Sequence, residues 1–68
     1  MTSPPSTRRL LHDLTNQLGI IRGFSELLVN EMTASDPHKP DVEEINNAAQ
    51  AAIVLLGHLK AALPPEEF

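Results

Sequence analysis

Apolar residues recur at intervals of three and four through the first half of the chain. At about 100° per residue they share one face of a helix, which a second apolar set widens. The repeat is Leu11, Leu14, Leu18, Ile21, Leu28 and Met32, with Ser25 its one polar member, and the second set is Leu10, Ile20, Phe24 and Leu27. Ser6 or Thr7 supplies a capping hydroxyl at its start. The pattern predicts an amphipathic helix over about residues 6–33.

Turn signals interrupt this periodicity over residues 34–40. Pro37 and Pro40 each disfavour helical geometry in the residue that precedes them. Asp41 follows directly, with Glu44 three residues later, and this pair resembles a capping box in which Asp41 is the cap. The sequence therefore predicts a short connection that ends where a second helix begins at Asp41.

The second half of the chain carries another apolar repeat of the same kind. Its members are Val42, Ile45, Ala49, Ala52, Leu56, Leu59 and Leu63, widened by Ala48, Ile53 and Leu55. We predict a helix over about residues 41–63, with Lys60 in the last turn, where a cation is favoured, and Pro64 just beyond its end. Residues 1–5 are expected to form a disordered leader, and residues 64–68 a tail or linker.

Two long helices joined by a short turn predict an all-α fold, an antiparallel two-helix hairpin. With 68 residues and no cysteine, the chain has neither a large core nor disulfides to stabilise it. Two helices cannot enclose a core between them, because each wide apolar stripe has only one neighbour. We therefore expect two hairpins to pair as a homodimer, forming a four-helix bundle.

The charge and hydropathy of the chain exclude several partners. The formal net charge is −4, whereas nucleic-acid binding leaves a basic stripe. No apolar run approaches the roughly 20 residues that a membrane span needs, and the polar helix faces are not rich enough in Lys and Arg for an interfacial membrane helix. We expect a cytoplasmic chain with no nucleic-acid partner and no direct membrane contact.

One polar cluster on the first helix is suited to phosphoryl chemistry. His12 lies at the border of the apolar repeat, Asp13 follows it, and Asn16 lies one turn further on the same face. A neutral imidazole has one ring nitrogen free to attack phosphorus, and a group bound to the other nitrogen fixes the tautomer. Asp13 can accept that hydrogen bond and act as a base, and Asn16 can orient a water or phosphoryl oxygens. Positioning and charge stabilisation are most of what such a transfer requires.

The cluster and its surroundings resemble a known signalling family. Residues 12–28 read HDLTNQLGIIRGFSELL, which is similar to the H-box helix of bacterial two-component histidine kinases, in the variant His-Asp-x-x-Asn. The predicted second helix matches the second helix of that family's dimerisation and phosphotransfer domain. The resemblance implies that His12 accepts a phosphoryl group from ATP and passes it to an aspartate on a response-regulator receiver domain. It also implies that Asp13 assists phosphorylation and that Asn16 positions a water for dephosphorylation.

Two departures from the family limit what this chain does alone. Gln17 stands where many members have proline, so the resemblance does not extend to a helix kink after the acceptor. The Gly-rich and Asn-bearing boxes that bind ATP in the family are absent. The chain therefore holds no cofactor of its own, and ATP and Mg²⁺ are expected on a separate catalytic domain.

Other interpretations of the same residues stay open. The chain can be a stand-alone histidine phosphotransferase, or a non-enzymatic dimeric helical adaptor in which His12 is a polar boundary residue. Asp13 can simply pair with Arg9, and Asn16 can be a tolerated surface residue. A metal site built from His12, Asp13 and His58 requires the three side chains to converge.

Overall fold

The chain forms an antiparallel pair of α-helices that pack against each other. The structure, a computed structural model, describes residues 6–64. α1 spans Thr7–Glu31, α2 spans Lys39–Ala62, and residues 6–64 contain no strand. The predicted leader at 1–5 and most of the predicted tail, 65–68, lie outside the described residues. Arg8 at the start of α1 donates to the carbonyl of Pro64 after α2, with Nη2 and O 3.2 Å apart, as the antiparallel arrangement requires.

The start of α1 agrees with its predicted cap, and the start of α2 does not. The Ser6 hydroxyl accepts a hydrogen bond from the amide of Arg9 at 3.1 Å, which satisfies one of the orphan N–H groups of the first turn. The predicted capping box at Asp41 was wrong, because α2 begins two residues earlier at Lys39. Proline is tolerated in a first turn, where its missing N–H has no helical acceptor. Pro40 therefore lies inside the helix.

The connection between the helices has the predicted length of seven residues but lies two residues earlier than the predicted 34–40. α1 ends at Glu31, and residues 32–38 form the link. The Asp36 carboxylate accepts a hydrogen bond from the amide of His38 at 2.8 Å, and the Asp36 carbonyl accepts one from Lys39 at 3.1 Å. Asp36 thus organises the turn before α2, whereas no side chain caps the start of the helix, the role predicted for Asp41.

The line of contact between α1 and α2 differs from the predicted apolar repeat. Apart from Arg8 and Lys39 near the helix starts, the residues that are not exposed are Leu11, Thr15, Leu18, Gly19, Arg22, Ser25 and Val29 on α1, and Val42, Asn46, Ala49, Ala52, Ile53 and Leu56 on α2. Leu14, Ile21 and Leu28, which the sequence placed in the same repeat as Leu11 and Leu18, are instead exposed. The predicted repeat therefore mixed two neighbouring faces of α1.

Polar side chains in the contact line satisfy one another. The Asn46 amide nitrogen donates to the Arg22 carbonyl and to the Ser25 hydroxyl, each at 3.0 Å, and the Ser25 hydroxyl donates to the same Arg22 carbonyl at 3.0 Å. Ser25 is only 4% exposed. Because a buried polar group is costly without a partner, these bonds fix which turn of α2 faces Ser25. They define the register of the hairpin.

We expect Asn46→Ala to lower the free energy of unfolding by about 1–2 kcal/mol, since it removes two hydrogen bonds across the helix pair. Urea denaturation at fixed protein concentration measures this change. Asn47→Ala, at the next, exposed position, is the matched control and should change stability by less than about 0.5 kcal/mol. Equal effects of the two substitutions would mean that the Asn46 contacts do not set the register.

A second apolar surface lies exposed on one flank of the helix pair. We call it the apolar flank, and its members are 46–66% exposed. They are Leu10, Leu14, Ile21, Phe24 and Leu28 of α1 and Ile45, Leu55 and Leu59 of α2. By contrast, only Leu11, Ser25 and Ala49 are buried among residues 6–64. Most of the apolar surface of the hairpin is thus left open.

Candidate functional site

His12 lies on an exposed face of α1, one turn after the helix begins. It lines a solvent-open depression of about 280 Å³ together with Ser6, Arg8, Arg9 and Lys60. We call this depression the basic pocket. At about 100° per residue, His12 points roughly 160–180° away from most apolar-flank residues of α1 and about 120° away from Phe24. The imidazole therefore faces solvent on the flank opposite the open apolar surface.

Asp13 is positioned by Arg9 and not by His12. The Arg9 Nε and the Asp13 Oδ1 are 3.4 Å apart, and the side chains are 69% and 52% exposed. Such a pair, four residues apart on a helix surface, contributes about 0.3–0.5 kcal/mol. Within residues 6–64 no hydrogen bond joins Asp13 to His12, because neighbouring side chains diverge by about 100°. The Asp13 carboxylate is thus beside the pocket but is paired with a cation.

Asn16 and two glycines continue the exposed strip beyond His12. Asn16 is exposed and one turn from His12, and its side chain makes no hydrogen bond within the described chain. A Cβ built on Gly19 or Gly23 would meet no atom within 4 Å. Neither glycine is therefore required by packing inside the hairpin. The strip is a smooth, open surface next to the imidazole.

We expect Gly23→Ala to raise the free energy of unfolding by about 0.5–1 kcal/mol, since alanine loses less conformational entropy in a helix and meets open space here. Thermal unfolding followed by circular dichroism measures the gain. Gly57→Ala on α2, where a Cβ also meets nothing, should give a similar gain. A loss of stability at Gly23 alone would reveal a close contact on that face.

The other histidines are separate from His12. His38 lies at the turn before α2, and His58 is exposed on α2. Among residues 6–64, no three side chains of the His, Cys, Asp or Glu type lie together as a group able to hold a metal ion. The alternative metal site from His12, Asp13 and His58 is therefore not assembled in the described structure.

Charge is distributed unevenly along the hairpin. The His12 end, residues 6–13 and 56–64, carries three cations and one carboxylate, a formal charge of +2. The turn end, residues 26–44, carries six carboxylates and one cation, a formal charge of −5. From the sequence alone, Lys60 was predicted only to be a cation in the last turn of the second helix. Its place beside His12 follows from the antiparallel packing of α1 and α2.

Two further depressions lie away from His12. One of about 410 Å³ is lined by Glu26, Val29, Glu43, Asn46 and Asn47. The other, of about 310 Å³, is lined by Ile20, Gly23, Phe24 and Leu27. The first is larger than the basic pocket, but neither contains a nucleophile or a general base of the histidine type. Of these three depressions, only the basic pocket is lined by a histidine.

No family model, curated protein sequence or solved structure matches the chain. Neither described helix is both long enough and apolar enough to cross a lipid bilayer. The functional argument consequently depends on the geometry around His12 and on the motif that contains it.

Proposed function

We propose that this chain is the dimerisation and phosphotransfer module of a two-component histidine kinase, acting in the cytoplasm. In this proposal His12 accepts a phosphoryl group from ATP bound by a separate catalytic domain. It then passes the group to an aspartate of a response-regulator receiver domain. The observation that carries the proposal is the placement of an exposed His12, beside three cations, on the flank opposite the apolar surface.

Because His12 and the apolar flank lie on opposite sides of the hairpin, dimerisation and phosphoryl transfer can take place at the same time. If two hairpins pair through the apolar flank, they bury its Leu, Ile and Phe side chains in a four-helix bundle with a two-fold axis. His12 then stays on the outside of the bundle, where another domain can reach it. A phosphoacceptor on the same flank as the apolar surface would be closed off by the dimer.

The residues near His12 supply part of what phosphoryl transfer needs. The imidazole offers a ring nitrogen to phosphorus, and the cations of the basic pocket offset the charge on the phosphoryl oxygens. Asp13 can act on the imidazole after a change of rotamer that releases Arg9, and Asn16 is free to orient a water. ATP and Mg²⁺ belong to the catalytic domain, since the sequence has no ATP-binding boxes.

The test offers the chain a phosphoryl group from each of two protein donors. The chain is incubated with a phosphorylated receiver domain, and separately with an ATP-loaded histidine-kinase catalytic domain. We expect label that is lost in acid and kept in alkali, as for phosphohistidine, and that moves on to an unphosphorylated receiver. Label from the receiver alone would instead favour a stand-alone phosphotransferase. An intact dimer that takes no label from either donor would favour the helical adaptor and contradict the proposal.

A further inference from the structure

Lys60 is a cation with no partner among the described residues, and it faces the same pocket as His12. It lies in the last turn of α2, and its side-chain ammonium makes no hydrogen bond or ion pair within residues 6–64. Arg8, which donates to a backbone carbonyl, and Arg9, which pairs with a carboxylate, line the pocket from α1. Cations from two helices therefore converge on one imidazole.

A helix-end role accounts for only part of this arrangement. A lysine in the last turn is favoured by the helix dipole wherever that turn lies. The dipole does not explain why the last turn of α2 meets Arg8 and Arg9. The described residues carry five cations and seven carboxylates, a formal charge of −2, yet three of those cations share one depression. Asp13 offsets the charge on Arg9, whereas the Lys60 ammonium has no carboxylate partner among residues 6–64.

We propose that the basic pocket is a phosphoryl-binding site, in which Lys60 attracts an anionic phosphoryl donor and holds the phosphoryl oxygens beside His12. The ligand class is a phosphoryl dianion with room for its leaving group in the pocket of about 280 Å³. The inference rests on the proposed role of His12 as acceptor. It adds the residue that recognises the transferred group, on the opposite helix from the acceptor.

Phosphoryl transfer to His12 can be examined with phosphoramidate, a small anionic donor that needs no protein partner. The free ring nitrogen of His12 forms a new bond to phosphorus as the donor's own P–N bond breaks. The proton from the other ring nitrogen passes to the departing ammonia, which leaves as ammonium. Atoms and charge balance without a metal, an oxidant or a second substrate.

The chain provides internal controls for this reaction. His38 and His58 are exposed histidines outside the basic pocket. Their phosphorylation rates therefore give the reactivity of a histidine that has no basic pocket beside it. Phosphopeptide mapping after timed exposure to phosphoramidate gives all three rates in one sample. We expect His12 to react several times faster than the other two, and high salt to reduce this difference because the Debye length falls to about 3 Å at 1 M.

Lys60→Gln isolates the charge on α2. We expect it to slow phosphorylation of His12 by about two- to fivefold, the range for one exposed charge, and to leave His38 and His58 unchanged. Lys39→Gln removes the same charge at the far end of α2, roughly 32 Å along the helix, and should not alter the His12 rate. Circular dichroism verifies that both variants keep the wild-type helix content.

Two results would overturn the phosphoryl-binding site. One is equal His12 rates in Lys60→Gln and Lys39→Gln, and the other is a wild-type His12 rate no higher than those of His38 and His58. Either result leaves the receiver assay above unaffected, since that assay asks only whether His12 accepts and passes on phosphate. A chain that is labelled by a receiver and shows no Lys60 effect would refute the pocket and retain the function.

Discussion

Ile21→Glu is expected to convert a dimer of hairpins into monomers and to remove much of their helical structure. Ile21 is 46% exposed in the single hairpin, at the middle of the apolar flank. A bundle formed through that flank buries this side chain, and a carboxylate there costs several kcal/mol unless it is protonated or paired. Two-fold symmetry introduces the substitution twice at the same interface.

We expect the helical structure to depend on this pairing, because the hairpin alone encloses very little. Only three of the described side chains are buried, so a separated monomer has almost no core to offset its loss of chain entropy. Light scattering after size exclusion gives the mass, and circular dichroism over a dilution series gives the helix content. The wild-type chain should lose helix on dilution, and the variant should have little at any concentration.

Gln50→Glu is the matched control, because Gln50 is exposed and lies outside the apolar flank. It introduces the same charge and should leave the dimer intact. A wild-type chain that is monomeric and fully helical at every concentration would contradict pairing through the apolar flank. The same conclusion would follow if Ile21→Glu dimerised as well as Gln50→Glu.

His12→Gln is expected to abolish transfer between the chain and a receiver domain. Glutamine fits the helix and keeps a polar side chain, but it has no nucleophilic ring nitrogen. The loss should reach the background of the assay, since no neighbouring group within residues 6–64 can replace the acceptor. His58→Gln removes an exposed histidine from the other helix and should transfer at the wild-type rate.

The mass and helix content of the His12→Gln dimer should equal those of the wild type, because the imidazole makes no hydrogen bond or ion pair in the described structure. This separates a chemical role from a structural one. A His12→Gln chain that still exchanged phosphate with the receiver would place the acceptor at another residue.

The sequence was sufficient to predict both helices and the all-α hairpin, because long apolar repeats are a strong helical signal. The Ser6 cap was predicted among two candidates and is confirmed. The predicted start of α2 at Asp41 was wrong, because proline breaks a helix interior but is tolerated in a first turn, where Pro40 lies. The Asp36 carboxylate, two residues before His38, instead accepts a hydrogen bond from the His38 amide.

The helix faces were harder to predict than the helices. A wide apolar stripe does not reveal which half meets the partner helix of the same chain and which half stays open. Thr15 lies in the contact line because its hydroxyl donates to the Leu11 carbonyl at 2.8 Å, and Asn46 lies there because its amide has two acceptors. Such polar residues count against burial in a sequence pattern, although their hydrogen bonds make burial possible.

The candidate site was visible in the sequence only on α1. His12, Asp13 and Asn16 are close in sequence, so helix spacing alone sets their relative positions. Lys60 is far away along the chain, and only the antiparallel packing brings it beside the imidazole. The ion pair of Asp13 with Arg9 was one of the two alternatives that the sequence left open. In the proposed function, Asp13 must therefore release Arg9 before it can assist His12.

The most direct measurement is site-resolved mass spectrometry of the wild-type chain after incubation with a phosphorylated receiver domain, under conditions that preserve phosphohistidine. The chain contains three histidines, His12, His38 and His58, so the label has three possible histidine positions. We predict one phosphoryl group per chain, located at His12. Label at His38 or His58, label spread over all three, or an unlabelled dimer would contradict the assignment of His12 as the phosphoacceptor.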